Sequence, residues 1–470
     1  MAASHKERYP HHLAKLVGQA LAQRSLQPPS RRVLRKLFET LYFASLKTDE
    51  ARLCRCTVNF LDSTAARSDF SPPTEEDRWT VTPFEKPMKL EVRSLLKLAE
   101  AADPAVSSLA IYSDANDDLF ICGMVDQELR YGDRVALDAN EDPQRPGLFQ
   151  ATINGVAAIS VYKNFSLLGS LEQNNLITQY HDALWDGPIH QRLKQNLGTA
   201  ILDRLALIEI DSTPAQIEQL KDELLVRWLN AICRILYNIQ KYGHGGGLLI
   251  VPAYPAPDLN IKYELAYHRV PKVLLQVSEL QVSKHQIHSS ISEQCRTPDD
   301  PLPYDSHLKS IRCMKELERL KNELLGCNRF IASLSRVDGF VLMDKSLAVH
   351  GFGVEARADD PIEEINVAGN ATAVPRLMRS VKIDQFGTRH RAMMRYCNRH
   401  AESLGFVVSQ DGDIRAIVKH RGQLILWENI NVQLAYRVER HETAIAEFSS
   451  TAISGMLKDW MLPQSDLRSA

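Results

Sequence analysis

Residues 387–429 read GTRHRAMMRYCNRHAESLGFVVSQDGDIRAIVKHRGQLILWEN, and the fold class follows from them. The first part is a helical run entered through Gly387. Three short apolar runs follow, joined at Asp411-Gly412 and Arg421-Gly422, both turn dipeptides. A helix followed by three tightly connected strands implies a sheet with helices packed on it.

The segments upstream extend this pattern. FVLMDKSLAVHGFGVE, residues 340–355, reads as a hairpin around Asp344-Lys345. A helix is expected over about 308–325, carried by Ile311, Met314, Leu317, Leu320 and Leu324. A longer one opens at Thr213-Pro214, an N-cap followed by proline. Its apolar positions Ile217, Leu220, Leu224, Trp228, Ile232, Ile235 and Ile239 form one stripe. Gly243, Gly245, Gly246 and Gly247 end that helix, and LLIVP follows as a buried strand. The polar stretch at about 267–305, with TPDDPLP inside it, reads as an insertion.

The N-terminal part has a different character. Helices are expected over His12–Leu26 and from Arg31 to about Leu46, the second on Val33, Leu34, Leu37, Leu41 and Tyr42. Arg31, Arg32, Arg35 and Lys36 are a solvated face in one reading and a phosphate contact in the other. The Pro-, Thr- and acid-rich stretch Asp69–Pro87 reads as a loop. From Ser107 to Asn174 the chain turns to strands, beginning with a hairpin around Asp114–Asp117. The expected architecture is α/β (α+β): an N-terminal α+β domain over 1–170, then a central mixed β-sheet flanked by helices over 171–460.

Composition limits the function classes. At roughly 150 residues per domain, 470 residues suggest about two or three domains. The 44% apolar and 24% charged residues are those of a folded soluble chain. The 56 Lys and Arg balance 58 Asp and Glu, so charge supplies no expectation of a nucleic-acid partner. Eight scattered cysteines with no C-x-x-C exclude a disulfide scaffold and a zinc ribbon, and read as reduced, mostly buried thiols. No apolar leader and no run of about 18 apolar residues is present, so the expected location is cytoplasmic, with no membrane partner.

Three local patterns point elsewhere and are set aside. His244-Gly245-Gly246-Gly247 matches the oxyanion motif of esterases, but the chain has no G-x-S-x-G to accompany it. Gly351-Phe352-Gly353-Val354-Glu355-Ala356 fits a dinucleotide fingerprint, but no amphipathic helix follows. His285 and His288 have the spacing of metal ligands without a third ligand nearby.

Two further segments carry chemistry. In Val337-Asp338-Gly339-Phe340, a carboxylate beside glycine at a strand edge suits a metal and close approach of backbone to a nucleotide. In Gly387-Thr388-Arg389-His390-Arg391, free backbone N–H groups, a hydroxyl, two guanidiniums and an imidazole favour anions, above all phosphate. A solvent-facing basic turn satisfies the second segment equally well.

Taken together these segments resemble the diadenylate cyclase (DAC) domain family. Asp338-Gly339-Phe340 corresponds to the family's Asp-Gly-Ala, and Gly387 to Ala392 matches its Gly-Thr-Arg-His-Arg-Ala residue for residue. Val408-Ser409-Gln410-Asp411-Gly412 echoes its Val-Ser-Glu-Glu-glycine segment. The helix followed by GGLLIV looks like its opening helix and first core strand, so the likeness covers roughly 215–440. The whole architecture resembles soluble DAC proteins with an N-terminal sensor domain, the DACNV type.

The resemblance implies condensation of two ATP into cyclic di-AMP with release of two pyrophosphates, a nucleotidyltransferase reaction. Asp338 would hold Mg²⁺ or Mn²⁺ and help activate the attacking 3′-hydroxyl. Gly339 and Phe340 would lie against the nucleotide. Gly387, Thr388, Arg389, His390 and Arg391 would grip the triphosphate, and Ser409 would add a phosphate contact. Arg389, His390 and Arg391 join Asp338 and Gly339 as expected catalytic residues. Each domain would hold one ATP, so a homodimer or higher homo-oligomer is part of the mechanism. The N-terminal domain would take a regulatory ligand that the sequence does not identify. Phe340 and Gln410 depart from the family pattern, although Asp411 remains near the second. An alternative is a catalytically degenerate DAC fold that binds ATP or a cyclic dinucleotide as a sensor. A DNA-scanning relative would want a helical module, for which residues 436–470 are too few.

Overall fold

A computed structural model describes residues 8–23, 29–49, 52–61, 79–102, 107–127, 149–163, 166–172, 174–177, 181–205, 214–294, 304–359, 361–410 and 412–432. Two mixed sheets organise them, one of eight strands and one of nine.

The first sheet belongs to the N-terminal part. Helices α1 (Pro10–Gln23) and α2 (Arg31–Ser45) precede it, and Ser30 caps α2 by accepting from the Val33 N–H at 3.1 Å. Its strands are β3 (Thr57–Phe60), β4 (Trp79–Lys89), β5 (Ser107–Ser113), β6 (Leu119–Gln127), β7 (Phe149–Gly155), β8 (Ala158–Lys163), β9 (Ser166–Glu172) and β10 (Asn175–Ile177). A two-residue pair, β1 (Thr48–Asp49) with β2 (Arg52–Leu53), lies outside it, and α3 (Val92–Ala99) follows β4. Leu13, Val17, Leu34, Leu37 and Leu41 of the helices meet Val58, Leu109, Ile111, Ala151, Ile159 and Val161 of the sheet in one core. Two expectations change here. Trp79–Lys89 is a strand and not part of a loop, and residues 62–78 lie outside the described ones. Its prolines are tolerated because it is an edge strand pairing only with β6, with a register shift between Pro83 and Met88. The sheet also continues past residue 170, through β10.

The second sheet is covered on both faces. After α4 (Gly187–Leu205) and α5 (Pro214–Tyr242) come β11 (Gly246–Val251), β12 (Leu259–Tyr267), α6 (Arg269–Gln294) and α7 (Tyr304–Leu334). Then follow β13 (Phe340–Asp344), β14 (Val349–Ala356), β15 (Glu364–Val367), β16 (Arg379–Lys382), α8 (Thr388–Arg399), β17 (Leu404–Val408), β18 (Ile414–His420) and β19 (Gln423–Trp427). The strand order is β12-β14-β13-β11-β17-β18-β19-β15-β16, with β11 parallel to β13 and antiparallel to β17. Leu248 and Ile250 point into the core shared with α5, α6 and α7, while Leu249 and Val251 point toward Met393, Met394 and Tyr396 of α8. That two-sided burial explains why β11 reads as an unbroken apolar run.

The stretch expected as a polar insertion is mostly core helix. Within α6, Val270, Val273, Leu274, Val277 and Val282 are buried, and only 295–303 of the segment fall outside the described residues. Buried Ser278 and Gln281 dilute the apolar stripe that would have announced this helix, with the Ser278 hydroxyl satisfied by the Leu274 carbonyl. The side chains of His285 and His288 lie outside the described residues.

Candidate functional site

The order of the central strands brings four separate segments to one end of the second sheet. Because β11 and β13 are parallel and in register at Leu248 and Val341, the turn before β11 and the residues before β13 emerge side by side. Antiparallel β17 pairs Val408 with Gly246, so its exit turn at Ser409 joins them. The start of α8 completes the group: Arg389 lies 3.3 Å from Asp338 through Nη2 and Oδ1.

Gly339 is fixed there by its backbone. Its φ is +116°, and a Cβ would fall 2.6 Å from the Gly353 carbonyl carbon and 2.7 Å from the Val354 nitrogen. Only glycine allows strands β13 and β14 to close so tightly behind Asp338. The Asp338 side chain is 99% exposed, which leaves its carboxylate free for a solution ligand. Its ion pair with Arg389 adds little stability in that setting.

The first turn of α8 has an unusual charge pattern. Gly387 is the N-cap and makes no side-chain capping bond, and no acidic residue occupies the turn. Thr388, Arg389, His390 and Arg391 stand where the helix dipole favours negative charge, so an anion bound there would relieve two adverse effects together. Arg391 approaches Asp384 at 4.0 Å, and Thr388 is exposed. His390 accepts at Nε2 from Arg415 Nη1 at 3.2 Å, so the imidazole proton resides on Nδ1. Burial, Arg415 and Arg389 push its pKa down to about 4.

The exit turn of β17 is held by its own hydrogen bonds. Ser409 N–H donates to the Asp413 carbonyl at 2.9 Å, Gly412 N–H to the Ser409 carbonyl at 3.1 Å, and Asp413 N–H to Ser409 Oγ at 3.0 Å. Ser409 therefore shapes the turn through both its backbone and its hydroxyl. Asp411 lies outside the described residues.

Three features differ from the sequence reading. Phe340 was expected against the nucleotide, but its ring is 3% exposed and packs in the core, with Gly247 leaving it room: a Cβ there would lie 2.4 Å from the ring. Gly245, part of the discarded His-Gly-Gly-Gly pattern, belongs to the site. Its φ is +66°, and a Cβ would meet the Val408 carbonyl at 3.0 Å, the Gln410 nitrogen at 3.2 Å and Arg389 Nη1 at 3.3 Å. Gly353, from the discarded dinucleotide pattern, is the backbone against which Gly339 packs. Both glycine patterns marked close backbone approach, though not the chemistry their motifs suggest. Arg415 is the third, and no local signal in β18 sets it apart from a solvated strand residue.

A cavity of about 280 Å³ between Val251–Pro257 and Tyr396–Ser403 lies at the other end of β11, away from these groups. Among the described residues no three His, Cys, Asp or Glu side chains form a metal cluster, and no helix is long and apolar enough to cross a membrane. The seven described cysteines are buried and free of disulfides.

Residues 23–126 match the family model described as "Probable sensor domain DACNV". The N-terminal part is thus similar to the sensor domains associated with diadenylate cyclases, and the match covers α2 and strands β3 to β6. No curated protein matches the chain.

Proposed function

We propose that the chain is a diadenylate cyclase, condensing two ATP into cyclic di-AMP with release of two pyrophosphates, and that its N-terminal sensor-like domain, whose sheet ends with β10 at Ile177, regulates the cyclase domain that follows it. One observation carries the reading: the turn at Gly245, Asp338-Gly339, the Ser409 turn and the basic first turn of α8 meet at one sheet end, with Asp338 and Arg389 3.3 Å apart. The DACNV match in the N-terminal part supports it from a separate region of the chain.

The chemistry follows from this arrangement. The 3′-hydroxyl of one ATP attacks the α-phosphorus of the other, in line with the leaving pyrophosphate. Thr388, the free N–H groups of α8, Arg389 and Arg391 hold the triphosphate and stabilise the charge that leaves with pyrophosphate. Neutral His390 contributes a hydrogen-bond donor, and Gly339 and Gly245 let the nucleotide approach the backbone.

A divalent ion fits the donor set in one way. Asp338 offers a single, fully exposed carboxylate, an oxygen donor of the kind Mg²⁺ and Mn²⁺ take, and would be the residue that holds the ion. When bound, the ion would lower the pKa of the 3′-hydroxyl and neutralise phosphate charge. Arg389 then exchanges its Asp338 partner for phosphate. Asp338 and Thr388 are exposed, and a second copy facing them would bring the other ATP, so in this reading the active form is a homodimer or larger assembly.

The test is incubation of the purified full chain with ATP and Mn²⁺ or Mg²⁺, with products read by mass spectrometry. Cyclic di-AMP supports the proposal. ATP binding without product under either metal would overturn it and leave a nucleotide-binding sensor.

A further inference from the structure

Arg415 occupies a position the cyclase chemistry above does not use. It lies on β18, its guanidinium 5.6 Å over the Phe386 ring, with Nε 2.7 Å from Asp413 Oδ2 and Nη2 3.8 Å from Glu428 Oε1. Its remaining nitrogen, Nη1, donates to His390 Nε2 at 3.2 Å. Asp413 is itself anchored, since its Oδ1 accepts the Asn429 N–H at 2.9 Å. Among the described residues, buried Nε has no partner in hydrogen-bond geometry, so Asp413 and Glu428 hold the guanidinium by charge, while Nη1 makes its hydrogen bond to His390; the side chain is only 22% exposed.

We propose that Arg415 is a positioning residue for the basic turn of α8: anchored by Asp413 and Glu428, it fixes His390 as a neutral imidazole with Nε2 accepting and Nδ1–H as its one donor. The reasoning is geometric. An arginine has donors only, so the ring nitrogen facing it must carry a lone pair. Protonating that nitrogen would turn an attractive contact into N–H against N–H between two cations. The imidazole thus presents the same single donor across the working pH range, whereas a free histidine would change both charge and hydrogen-bonding pattern near pH 6.5.

The groups around His390 agree with this. Arg415 approaches from β18 and Arg389 from its own helix, both positive, and the Phe386 ring covers it at 6.1 Å. Among the described residues, Asp413 and Glu428 contact Arg415 on its far groups, Nε and Nη2. Burial and the two guanidiniums drive its pKa in the same direction, down to about 4.

This inference deepens the phosphate-gripping role proposed for His390 and rests on that reading only for its functional consequence. The test uses the full-length chain labelled with ¹⁵N-histidine, with His390 assigned through His390→Gln. Long-range ¹H–¹⁵N spectra are recorded from pH 4 to 8, and affinity for α,β-methylene-ATP is measured over pH 5.5–8. In the wild type, His390 should show a bare Nε2 and protonated Nδ1 above pH 5, a midpoint near 4, and a flat affinity profile attributable to this residue. Arg415→Met should raise the midpoint toward 6.5 and make binding tighten as pH falls, because an imidazolium forms more readily beside the phosphates once one of the two guanidiniums is gone.

Removing Arg415 alone leaves Asp413 a buried carboxylate without its cation. The double variant Asp413→Asn/Arg415→Met avoids that and should show the same midpoint shift. Arg415→Lys keeps a cationic donor and should hold the midpoint below 5. A wild-type Nε2–H tautomer, or a midpoint unmoved in both methionine variants, overturns the proposal. The two readings separate cleanly. Absence of nucleotide binding with the tautomer as described defeats the cyclase reading alone, and cyclase activity with an unmoved midpoint defeats the role of Arg415 alone.

Discussion

Gly243 and Gly245 provide a matched pair for testing where the site lies. Both adopt left-handed backbone, with φ of +67° and +66°. Alanine at either position costs about 1–2 kcal/mol of backbone strain. Their surroundings differ: a Cβ at Gly243 meets nothing within 4 Å, whereas one at Gly245 presses on the Val408 carbonyl, the Gln410 nitrogen and Arg389 Nη1 at 3.0, 3.2 and 3.3 Å. Gly245→Ala must therefore move the β17 exit turn or the Arg389 guanidinium by a few tenths of an ångström. Losing one charge-assisted hydrogen bond to phosphate costs about 1.5–3 kcal/mol, or roughly 10- to 150-fold in affinity. Urea unfolding and calorimetric titration with α,β-methylene-ATP measure the two effects separately. Both variants should lose similar stability, and only Gly245→Ala should bind at least about ten-fold more weakly. Equal affinity in the two variants would refute the proposed phosphate contact of Arg389 beside Gly245.

Further outcomes follow from the same geometry. Asp338→Asn alters a 99% exposed side chain, so stability should stay within about 0.5 kcal/mol of wild type while cyclic product disappears; a lowered Tm would show that the carboxylate is structural. His390 is held neutral with its pKa near 4, against about 6.5 in the unfolded chain, so acid favours unfolding. Its contribution is complete above pH 6.5 and is lost as pH falls toward 4, amounting to about 3 kcal/mol at most, and His390→Gln should remove that part of the slope in urea titrations at successive pH values. Burial pushes the Cys233 and Cys397 thiols up to about 12 and Cys122 up to about 11, so all three should resist a disulfide reagent at pH 8 until denaturant is added. Rapid modification of any of them in the native chain would contradict its burial.

Much of the candidate site is legible locally because its groups are contiguous in the chain. Thr388 to Arg391 form one helical turn, and Asp338-Gly339 are neighbours, so residue type and order already suggested phosphate and metal. The positions misread were those where a long-range neighbour sets the outcome. Phe340 reads as the residue beside the nucleotide, yet the glycine at 247 on the adjacent strand opens a core space for its ring. Trp79–Lys89 carries two prolines that argue for a loop, and edge placement beside β6 removes their penalty. The helix Arg269–Gln294 breaks its buried stripe with Ser278 and Gln281, and the Ser278 hydroxyl is buried at no cost because it donates to the Leu274 carbonyl one turn earlier.

By itself, the sequence determined the class of fold, the pairing of β17, β18 and β19 through their turn residues, and the anion-favouring start of α8, because each depends on groups within a few residues of one another. Tertiary structure alone decided which glycines line the site, which way Phe340 turns and that Arg415 reaches His390. Those contacts join separate strands and helices, and their energies exist only once tertiary pairing has formed: β11 beside β13 for Gly247 and Phe340, and α8 packed on β18 for His390 and Arg415.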